Sequence, residues 1–536
     1  MSIFEGHPKG LIQAALTNMG ERFGFYIMMA ILTLFISAKF GLSETTTGYI
    51  YSVFYASIYI LALVGGIIAD KTRNYKGTIF TGLIIMALGY LIIAIPTPTT
   101  VPFTGTYLVL TCAGLLVIAF GNGLFKGNLQ ALVGQMYDAP EYNALIKEKY
   151  GVDENGNPKK NFREAGYQIF YMFINIGGFF APFVAVAVRN WWLQHNGFDY
   201  NAGLPALCHK YLGVAELTTE QTANLTKWSS EAVLGGQGFP DLSAFCQQYL
   251  DVFNTGFHYA FVATIVAIGI SLTIYLLNKK YLPDAKAKVK DASSNAPHPE
   301  EVKMAAAEVK QRIYALFAVF GIVIFFWFSF HQNGYSLTYF ARDYIDLEQI
   351  RINLGFTVIK GAEIFQAINP FLVVFLTPII MWLFAAMRNS GREISTPKKI
   401  GIGMGIAMAA YVFLLLVSSG LPAFGELAGM SEESLTLMKL TPWVMVGMYF
   451  ILTVAELFIS PLGLAFVSKV APPHMQGLMQ GCWLAATAIG NSLLFIGGLL
   501  YTAVPLWACW LVFAGVCALS MIVMLSMVKW LERVAK

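Results

Sequence analysis

Four ionisable residues lie in stretches of sequence that are otherwise apolar: Glu21, Arg22, Lys126 and Glu456. Charged side chains are costly in hydrocarbon, and inside apolar segments they usually mark a path for a substrate or an ion. Arg22 and Lys126 could bind a carboxylate, whereas Glu21 and Glu456 could take up a proton or accept a substrate ammonium group. These residue types therefore predict a site for a small charged or zwitterionic solute.

The first apolar stretch places a row of side chains on one face of a helix, because residues three or four apart are neighbours there. The row is Asn18, Arg22, Phe25 and Met29. Glu21 lies beside this row and can be compensated by Lys126, with Arg22 as a second cation. Glu456 has no such cation in its own half of the chain. A purely structural ion cluster, or for Glu456 a neutral acid bonded to a backbone carbonyl, is the alternative.

The composition is that of a membrane protein. The chain has 536 residues, of which 57% are hydrophobic and 12% are charged, and its mean hydropathy is +0.60. Soluble domains usually carry about 25% charged residues, so this chain has too few to cover a water-soluble core. The net charge of +4 gives no argument for a nucleic-acid partner, and we expect the lipid bilayer to surround the protein.

Twelve segments are long and apolar enough to span a bilayer, which takes about 20 residues. They are 11–38, 47–69, 77–96, 106–133, 167–188, 256–278, 313–334, 365–387, 398–420, 441–468, 478–501 and 506–530. A charged linker at 280–311 divides them into six and six. We expect an all-α polytopic protein with one bundle over 1–279, including an outer loop at about 189–256, and a second bundle over 312–536.

Lysine and arginine are more frequent in the connections that follow the even-numbered spans and at the C-terminal end. Such residues accumulate on the cytoplasmic side of membrane proteins. Both ends of the chain are therefore predicted to be cytoplasmic, in agreement with the even number of spans.

Twelve helices in two halves resemble the layout of the major facilitator superfamily, which implies a central site between the halves. The stretch "GGIIADKTRNYKG" resembles that superfamily's loop motif between the second and third helices. Its members here are Gly66, Asp70, Lys76 and Gly77. We interpret this motif as structural, with glycines that allow close helix contact.

Several longer motifs resemble the proton-dependent oligopeptide transporter family, the peptide transporter branch of that superfamily. They are "ERFGFY", "LFKGN", "YQIFYMFINIGG", "INP", "AELFISPLGLAFVSKVAPP" and "QGCWLAATAIGN", in this order along the chain. The resemblance implies a secondary active transporter that carries di- and tripeptides with protons by alternating access. It also implies a multi-pass protein of the cytoplasmic membrane that functions as a monomer.

The resemblance further implies roles for individual residues. Proton coupling would fall to Glu21, Arg22, Lys126 and Glu456. The peptide would be bound by Arg22, Tyr26, Tyr59, Lys126, Asn175, Trp327, Asn369, Glu456, Trp483 and Thr487, with Leu484 beside them. Ordinary helix packing is the alternative for Tyr59, Trp327 and Trp483.

The chain departs from the family pattern at three positions. Asn18 stands where the family commonly has a glutamate, Met29 where it has an arginine, and His331 where it has an acidic residue. The last two form an ion pair in the family, and their joint replacement avoids a lone buried charge. His331 titrates near neutral pH in water and is a candidate for proton coupling, but we favour a neutral, hydrogen-bonded histidine.

The outer loop repeats a pattern, "LPALCHKYLG" and "LSAFCQQYLD", which places Cys208 and Cys246 at equivalent points. Two cysteines in an extracytoplasmic loop favour a disulfide, with free thiols as the alternative. Asn224 matches a glycosylation sequon, but we discount it.

Other functions remain as alternatives. The same fold could carry single amino acids, nitrate or another small anion or zwitterion, and a transporter-like receptor without flux is a further alternative. Motifs for a metal-dependent hydrolase or an ATP-binding loop are absent from the sequence. We therefore expect no enzymatic activity, no metal and no organic cofactor.

Overall fold

The computed structural model describes residues 6–137, 139–152, 158, 162–235, 241–283, 306–392, 394–472 and 476–534. The first half of the chain contains helices α1 Gly10–Phe40, α2 Glu44–Thr72, α3 Tyr75–Ala94, α4 Gly105–Tyr137, α5 Pro140–Tyr150, α6 Arg163–His195, α7 Leu204–Leu212, α8 Thr219–Glu231 and α9 Leu242–Asn278. Because α7 and α8 lie between two long apolar helices, they form an extramembranous unit.

The second half contains helices α10 Ala306–Phe330, α11 Ser336–Tyr344, α12 Ile368–Asn389, α13 Thr396–Ser418, α14 Glu432–Leu437, α15 Trp443–Val470, α16 Gln476–Ser492, α17 Phe495–Ala503 and α18 Leu506–Val534. A short antiparallel hairpin, β1 Ile352–Asn353 and β2 Val358–Ile359, precedes the 3₁₀ helix Ala362–Ala367 that leads into α12.

Among the described residues, twelve helical segments are long and apolar enough to cross a membrane. Each of them overlaps one of the twelve predicted spans, so the predicted all-α polytopic fold is confirmed. Two spans are interrupted: α10 continues through a 3₁₀ turn into α11, and α16 continues into α17. Because the number of spans is even, both ends lie on one side. We call that side inner and the opposite side outer.

The long helices pack in two groups. In the first, α1 packs on α6 and α9, and α4 packs on α2 and α3; in the second, α13 packs on α15 and α18. The groups meet where α2 contacts α16 and α17, and where α6 contacts α12. The predicted boundaries at 279/280 and 311/312 stay a prediction, because most of the linker lies outside the described residues.

Glycines determine how closely α2, α3 and α4 approach. A Cβ atom at Gly82 or Gly121 would lie 2.7 Å from the other helix's backbone oxygen. On α2 the close contact is made by Gly65, which lies against the backbone of Gly123, whereas Gly66 has nothing within 4 Å. The expected contact at Gly66 was therefore wrong, because adjacent residues of a helix point about 100° apart.

The rest of the loop motif shapes the turn between α2 and α3. The Gly77 amide donates a hydrogen bond of 3.0 Å to Asn74 Oδ1 and so caps α3. The carbonyl oxygen of Lys76 accepts a hydrogen bond of 2.8 Å from the Tyr275 hydroxyl. The side chain of Asp70 lies outside the described part of the chain.

Candidate functional site

Glu21 and Arg22 form a buried ion pair within α1. Arg22 Nε and Nη2 each donate to one oxygen of the Glu21 carboxylate at 2.5 Å. Asn122 of α4 donates a further hydrogen bond of 2.9 Å to Glu21 Oε1. Glu21 is 0% exposed, so its carboxylate depends on these donors in place of water. Such a two-point pair is the strong form of a charged hydrogen bond.

Lys126 lies close to this pair but does not belong to it. Its Nζ lies 4.7 Å from the centre of the Tyr59 ring, a cation–π contact. No ion pair of Lys126 is found among the residues that the structure describes. Arg22 rather than Lys126 makes the direct contact with the Glu21 carboxylate, while Lys126 lies within electrostatic range of it; the expected compensation of Glu21 by Lys126 stays a prediction. The Lys126 ammonium group therefore lies outside the Glu21–Arg22 pair, over the Tyr59 ring.

The second half contributes the opposite charge. Asn369, at the start of α12, donates 2.8 Å to Glu456 Oε2 and 3.0 Å to Thr453 Oγ1. Thr453 in turn donates to the carbonyl of Tyr449, one turn earlier on α15. Asn369 was expected to contact a substrate; in the structure it holds the Glu456 carboxylate, which is half-buried.

Tyr26 connects the two charged groups. Its phenol lies within electrostatic reach of both Arg22 and Glu456. The Gly177–Gly178 pair of α6 makes this meeting possible. A Cβ atom at Gly178 would lie 3.1 Å from Pro370 on α12 and 3.3 Å from the Tyr26 ring. Arg22 of the first half and Glu456 of the second half therefore lie near the same side chain, where α6 approaches α12.

His331 is held by contacts on three sides. Its Nδ1 is hydrogen-bonded at 2.5 Å to Asn491 Oδ1, which makes Nδ1 the proton-bearing nitrogen, because a carbonyl oxygen can only accept. The ring stacks on Trp327, with centroids 4.9 Å apart, and lies 4.8 Å from the Tyr55 ring. The expected hydrogen-bonded histidine is thus present, and sequence reasoning missed its partner Asn491.

The remaining predicted site residues are mostly engaged in helix packing. Asn175 donates to the carbonyl of Tyr171 at 3.0 Å, and Thr487 donates to the carbonyl of Trp483 at 3.3 Å. Trp483 is 3% exposed and lies against Gly463 of α15. Their roles in binding stay predictions, with packing as the simpler account of Trp483.

At the departures from the family pattern, the structure shows buried positions. Asn18 is buried and its Nδ2 has no hydrogen-bond partner among the described residues. Met29 is 5% exposed, so a charge at this position would need a buried partner. Met29 is uncharged and His331 is hydrogen-bonded to Asn491, so neither of these two positions leaves an unpaired charge.

On the outer side, two largely buried ion pairs join the halves and were missed by sequence reasoning; two more exposed pairs, Lys227–Glu432 and Arg351–Asp199, join them as well. Arg189 at the end of α6 pairs with Glu363 of the 3₁₀ helix before α12, and both side chains are 0% exposed. Glu44 at the start of α2 pairs with Arg342 of α11 at 2.9 Å. The signal that could have found these pairs is that charged residues lie near the ends of predicted spans. Arg189, for example, directly follows the predicted span 167–188 and was predicted to lie in the outer loop. These contacts close the outer side.

Cys208 of α7 and Cys246 of α9 are buried neighbours with free thiols. The pKa of the Cys208 thiol is raised, first by its hydrogen bond with Cys246 and then by burial. The two residues that were expected to pair are therefore adjacent, and a disulfide between them stays a prediction. Among the described residues, no group of three or more His, Cys, Asp or Glu side chains could hold a metal ion.

The model of the POT family matches residues 76–215 and 284–505 of the chain. The chain belongs to the POT family. Peptide transporter YePEPT of Yersinia enterocolitica is 28% identical to this POT family chain over 495 residues, covering 91% of the chain and 87% of the relative. Dipeptide and tripeptide permease A of Escherichia coli is 26% identical over 491 residues, which cover 92% of this chain and 83% of that relative.

Solved structures show the same fold for this POT family member. Peptide transporter POT in complex with sulfate has a TM-score of 0.67 at 21% identity, covering 99% of the chain and 96% of its own. A POT family transporter in complex with 5-aminolevulinic acid has a TM-score of 0.68 at 18% identity, covering 98% of both chains. The major facilitator fold is thereby confirmed, and the protein is an integral, multi-pass membrane protein.

Proposed function

We propose that this protein is a secondary active transporter that carries di- and tripeptides together with protons by alternating access, as a monomer in the cytoplasmic membrane. One observation carries the proposal. Arg22 of the first half and Glu456 of the second half lie within electrostatic reach of the same tyrosine, Tyr26, and Lys126 of the first half lies over the ring of Tyr59. A peptide with a free carboxylate and a free ammonium group could bridge these two poles, and its binding would depend on how the halves are placed.

The names of the relatives support peptides as the substrate class. The Yersinia relative is a peptide transporter and the Escherichia relative a dipeptide and tripeptide permease. Aromatic side chains such as Tyr26 and Tyr59 offer apolar contact to varied peptide side chains while keeping a polar tip. The arrangement therefore suits a substrate whose ends are constant and whose side chains vary.

Proton coupling is assigned to Glu21, with Glu456 as a second group. Protonation of Glu21 removes the charge that holds Arg22, which frees the guanidinium for the substrate carboxylate beside Lys126. The ionised form of Glu21 takes Arg22 back. His331 is the alternative carrier, but its Nδ1 proton is already directed to Asn491, so we assign it no proton transfer.

Uptake into proteoliposomes tests the function as a whole. We expect a labelled dipeptide to accumulate under an imposed inward proton gradient, because the solute and proton share one site. Unlabelled di- and tripeptides should compete and free amino acids should not. Failure of the peptides to compete, with success of an amino acid, would overturn the peptide assignment.

If Glu456 binds the amino end of the peptide and Lys126 its carboxyl end, Glu456→Gln should weaken recognition of the amino end alone. This change removes the charge that would pair with the peptide ammonium, and charged hydrogen bonds of this kind contribute about 1.5–3 kcal/mol. Affinity for a dipeptide should fall about 10- to 150-fold, and the preference over the N-acetylated dipeptide should disappear. The measurement is competition binding to the purified protein.

Lys126→Met is the matched control for Glu456→Gln. It should abolish discrimination between a free and an amidated carboxyl end, while the preference for a free amino end is kept. If Glu456→Gln changed both preferences equally, a direct contact between Glu456 and the amino end would be contradicted.

A second candidate function is transport of a single amino acid or another small zwitterion or anion. It is favoured by Asn18, Met29 and His331, which alter the charges around the site relative to the family pattern. The competition experiment separates the two candidates directly.

A further inference from the structure

The chain between α6 and α9 builds a compact unit on the outer side, which we call the outer cap (residues 196–235). Its base is closed by backbone hydrogen bonds from Asp199 to Ala232 at 2.7 Å and from Leu234 to Gly197 at 2.8 Å. Inside it, Leu204 and Leu225 are fully buried. The cap is therefore a small folded element with its own interior.

The outer cap is attached firmly to the first half. Its Cys208 side chain is buried next to Cys246 of α9. His209 Nε2 is hydrogen-bonded at 2.7 Å to the carbonyl of Ala38, near the end of α1. Burial of the His209 ring lowers its pKa, and the hydrogen bond to Ala38 opposes this shift. The end of α1 is shaped to receive it: Gly41 has a φ of +61°, and a Cβ there would lie 2.8 Å from His209 Nδ1.

The same cap reaches across to the second half. Thr218, the N-cap of α8, donates 2.8 Å to the carbonyl of Ala428, and the buried Asn224 donates 3.2 Å to the carbonyl of Met430. Lys227 pairs with Glu432 of α14 at 2.6 Å. We call these three contacts the clasp. Two of them are made to backbone carbonyls between α13 and α15, so they depend on the position of that connection.

The clasp lies on the side that must separate when an alternating-access transporter opens outward. The ion pair of the clasp is weak, because the Lys227 side chain is 57% exposed and exposed ion pairs contribute little to stability. Asn224 is different, since it is 7% exposed and its amide would lose its acceptor when the halves part. That side chain is also the asparagine of the sequon, and its burial agrees with discounting glycosylation.

We propose that the outer cap is a strap, fixed to the first half, whose clasp on residues 428–432 holds the outer side closed and must be released for outward opening. This inference rests on the proposed alternating-access transport. It predicts that joining the clasp covalently blocks transport, whereas the same bond made within the cap does not.

A pair of double-cysteine variants tests the strap. Lys227→Cys with Glu432→Cys can be joined across the clasp by a short, reducible thiol cross-linker. Lys227→Cys with Glu231→Cys is the matched control, because both residues lie on α8, one turn apart, with Lys227 Nζ 3.8 Å from Glu231 Oε1. Both are made with Cys112 and Cys482 replaced by serine, the two native cysteines that are not fully buried.

We expect cross-linking across the clasp to abolish dipeptide uptake and counterflow in proteoliposomes, and reduction to restore both. The control pair should transport at the same rate before and after cross-linking. Equal transport by the cross-linked clasp and the control would overturn the strap.

A readout without substrate separates this failure from a failure of the proposed function. Spin labels at Ser43, directly before α2, and at Leu437, on α14, report the distance between the outer ends of the two halves. Removing the clasp with Thr218→Ala, Asn224→Ala and Lys227→Ala should increase the population of long distances several-fold. An unchanged distribution would overturn the strap even if peptide uptake were normal.

Discussion

Uptake driven by a proton gradient should be lost when Glu21 is replaced by glutamine, while exchange of peptide across the membrane should continue. Glutamine keeps the size of the side chain and can still bond to Asn122, but it cannot exchange a proton. It also leaves Arg22 without its carboxylate partner, as the protonated state of Glu21 would. The measurements are concentrative uptake and counterflow of one labelled dipeptide in proteoliposomes.

Asn122→Ala is the control for Glu21→Gln. It removes one donor to the Glu21 carboxylate but keeps the titratable group, so uptake should be slower and still follow the gradient. Concentrative uptake by Glu21→Gln would show that proton coupling resides elsewhere, with Glu456 and His331 as the next residues to change.

Glu363→Gln should destabilise the protein strongly, because it leaves the buried Arg189 without a counter-charge. Breaking one side of a buried ion pair usually costs about 3–5 kcal/mol. Arg189 is also enclosed by the Tyr200 ring at 4.0 Å and donates 3.2 Å to the carbonyl of Lys360. Thermal unfolding of the purified protein measures the effect.

The double variant Arg189→Met with Glu363→Met distinguishes a lost charge from lost packing. Removing both charges together is often neutral or stabilising, so this variant should unfold at a higher temperature than Glu363→Gln. If the double variant were the less stable of the two, the uncompensated charge would not explain the loss. Since the pair joins the two halves, the double variant should also open outward more readily.

The fold was predictable because membrane spans follow from length and apolarity alone. The predicted segments 11–38 and 506–530 correspond to Gly10–Phe40 and Leu506–Val534, and interruptions such as the 3₁₀ turn after α10 did not disturb the pattern. The resemblance supplied the family, which the match over 76–215 and 284–505 confirmed.

The pairing of side chains was less predictable, because it depends on how each helix is rotated. Asn369 and Glu456 are 87 residues apart, and no spacing rule could show that one holds the other. Asn491, the partner of His331, was not predictable for the same reason, although it ends the motif "QGCWLAATAIGN". The error at Gly66 arose at the level of a single residue, where a rotation of 100° decides which glycine meets α4.

The ion pair of Glu21 and Arg22 lies within a single helix, so movement of one half against the other leaves it intact. The rocking motion therefore does not itself separate the two side chains. Separation requires protonation of Glu21 or a competing carboxylate that binds Arg22. The number of protons carried per peptide would then depend on two rates: that of Glu21 protonation and that of Glu21 displacement by a peptide carboxylate. Transport without a proton would measure how often a peptide carboxylate displaces Glu21 before Glu21 is protonated.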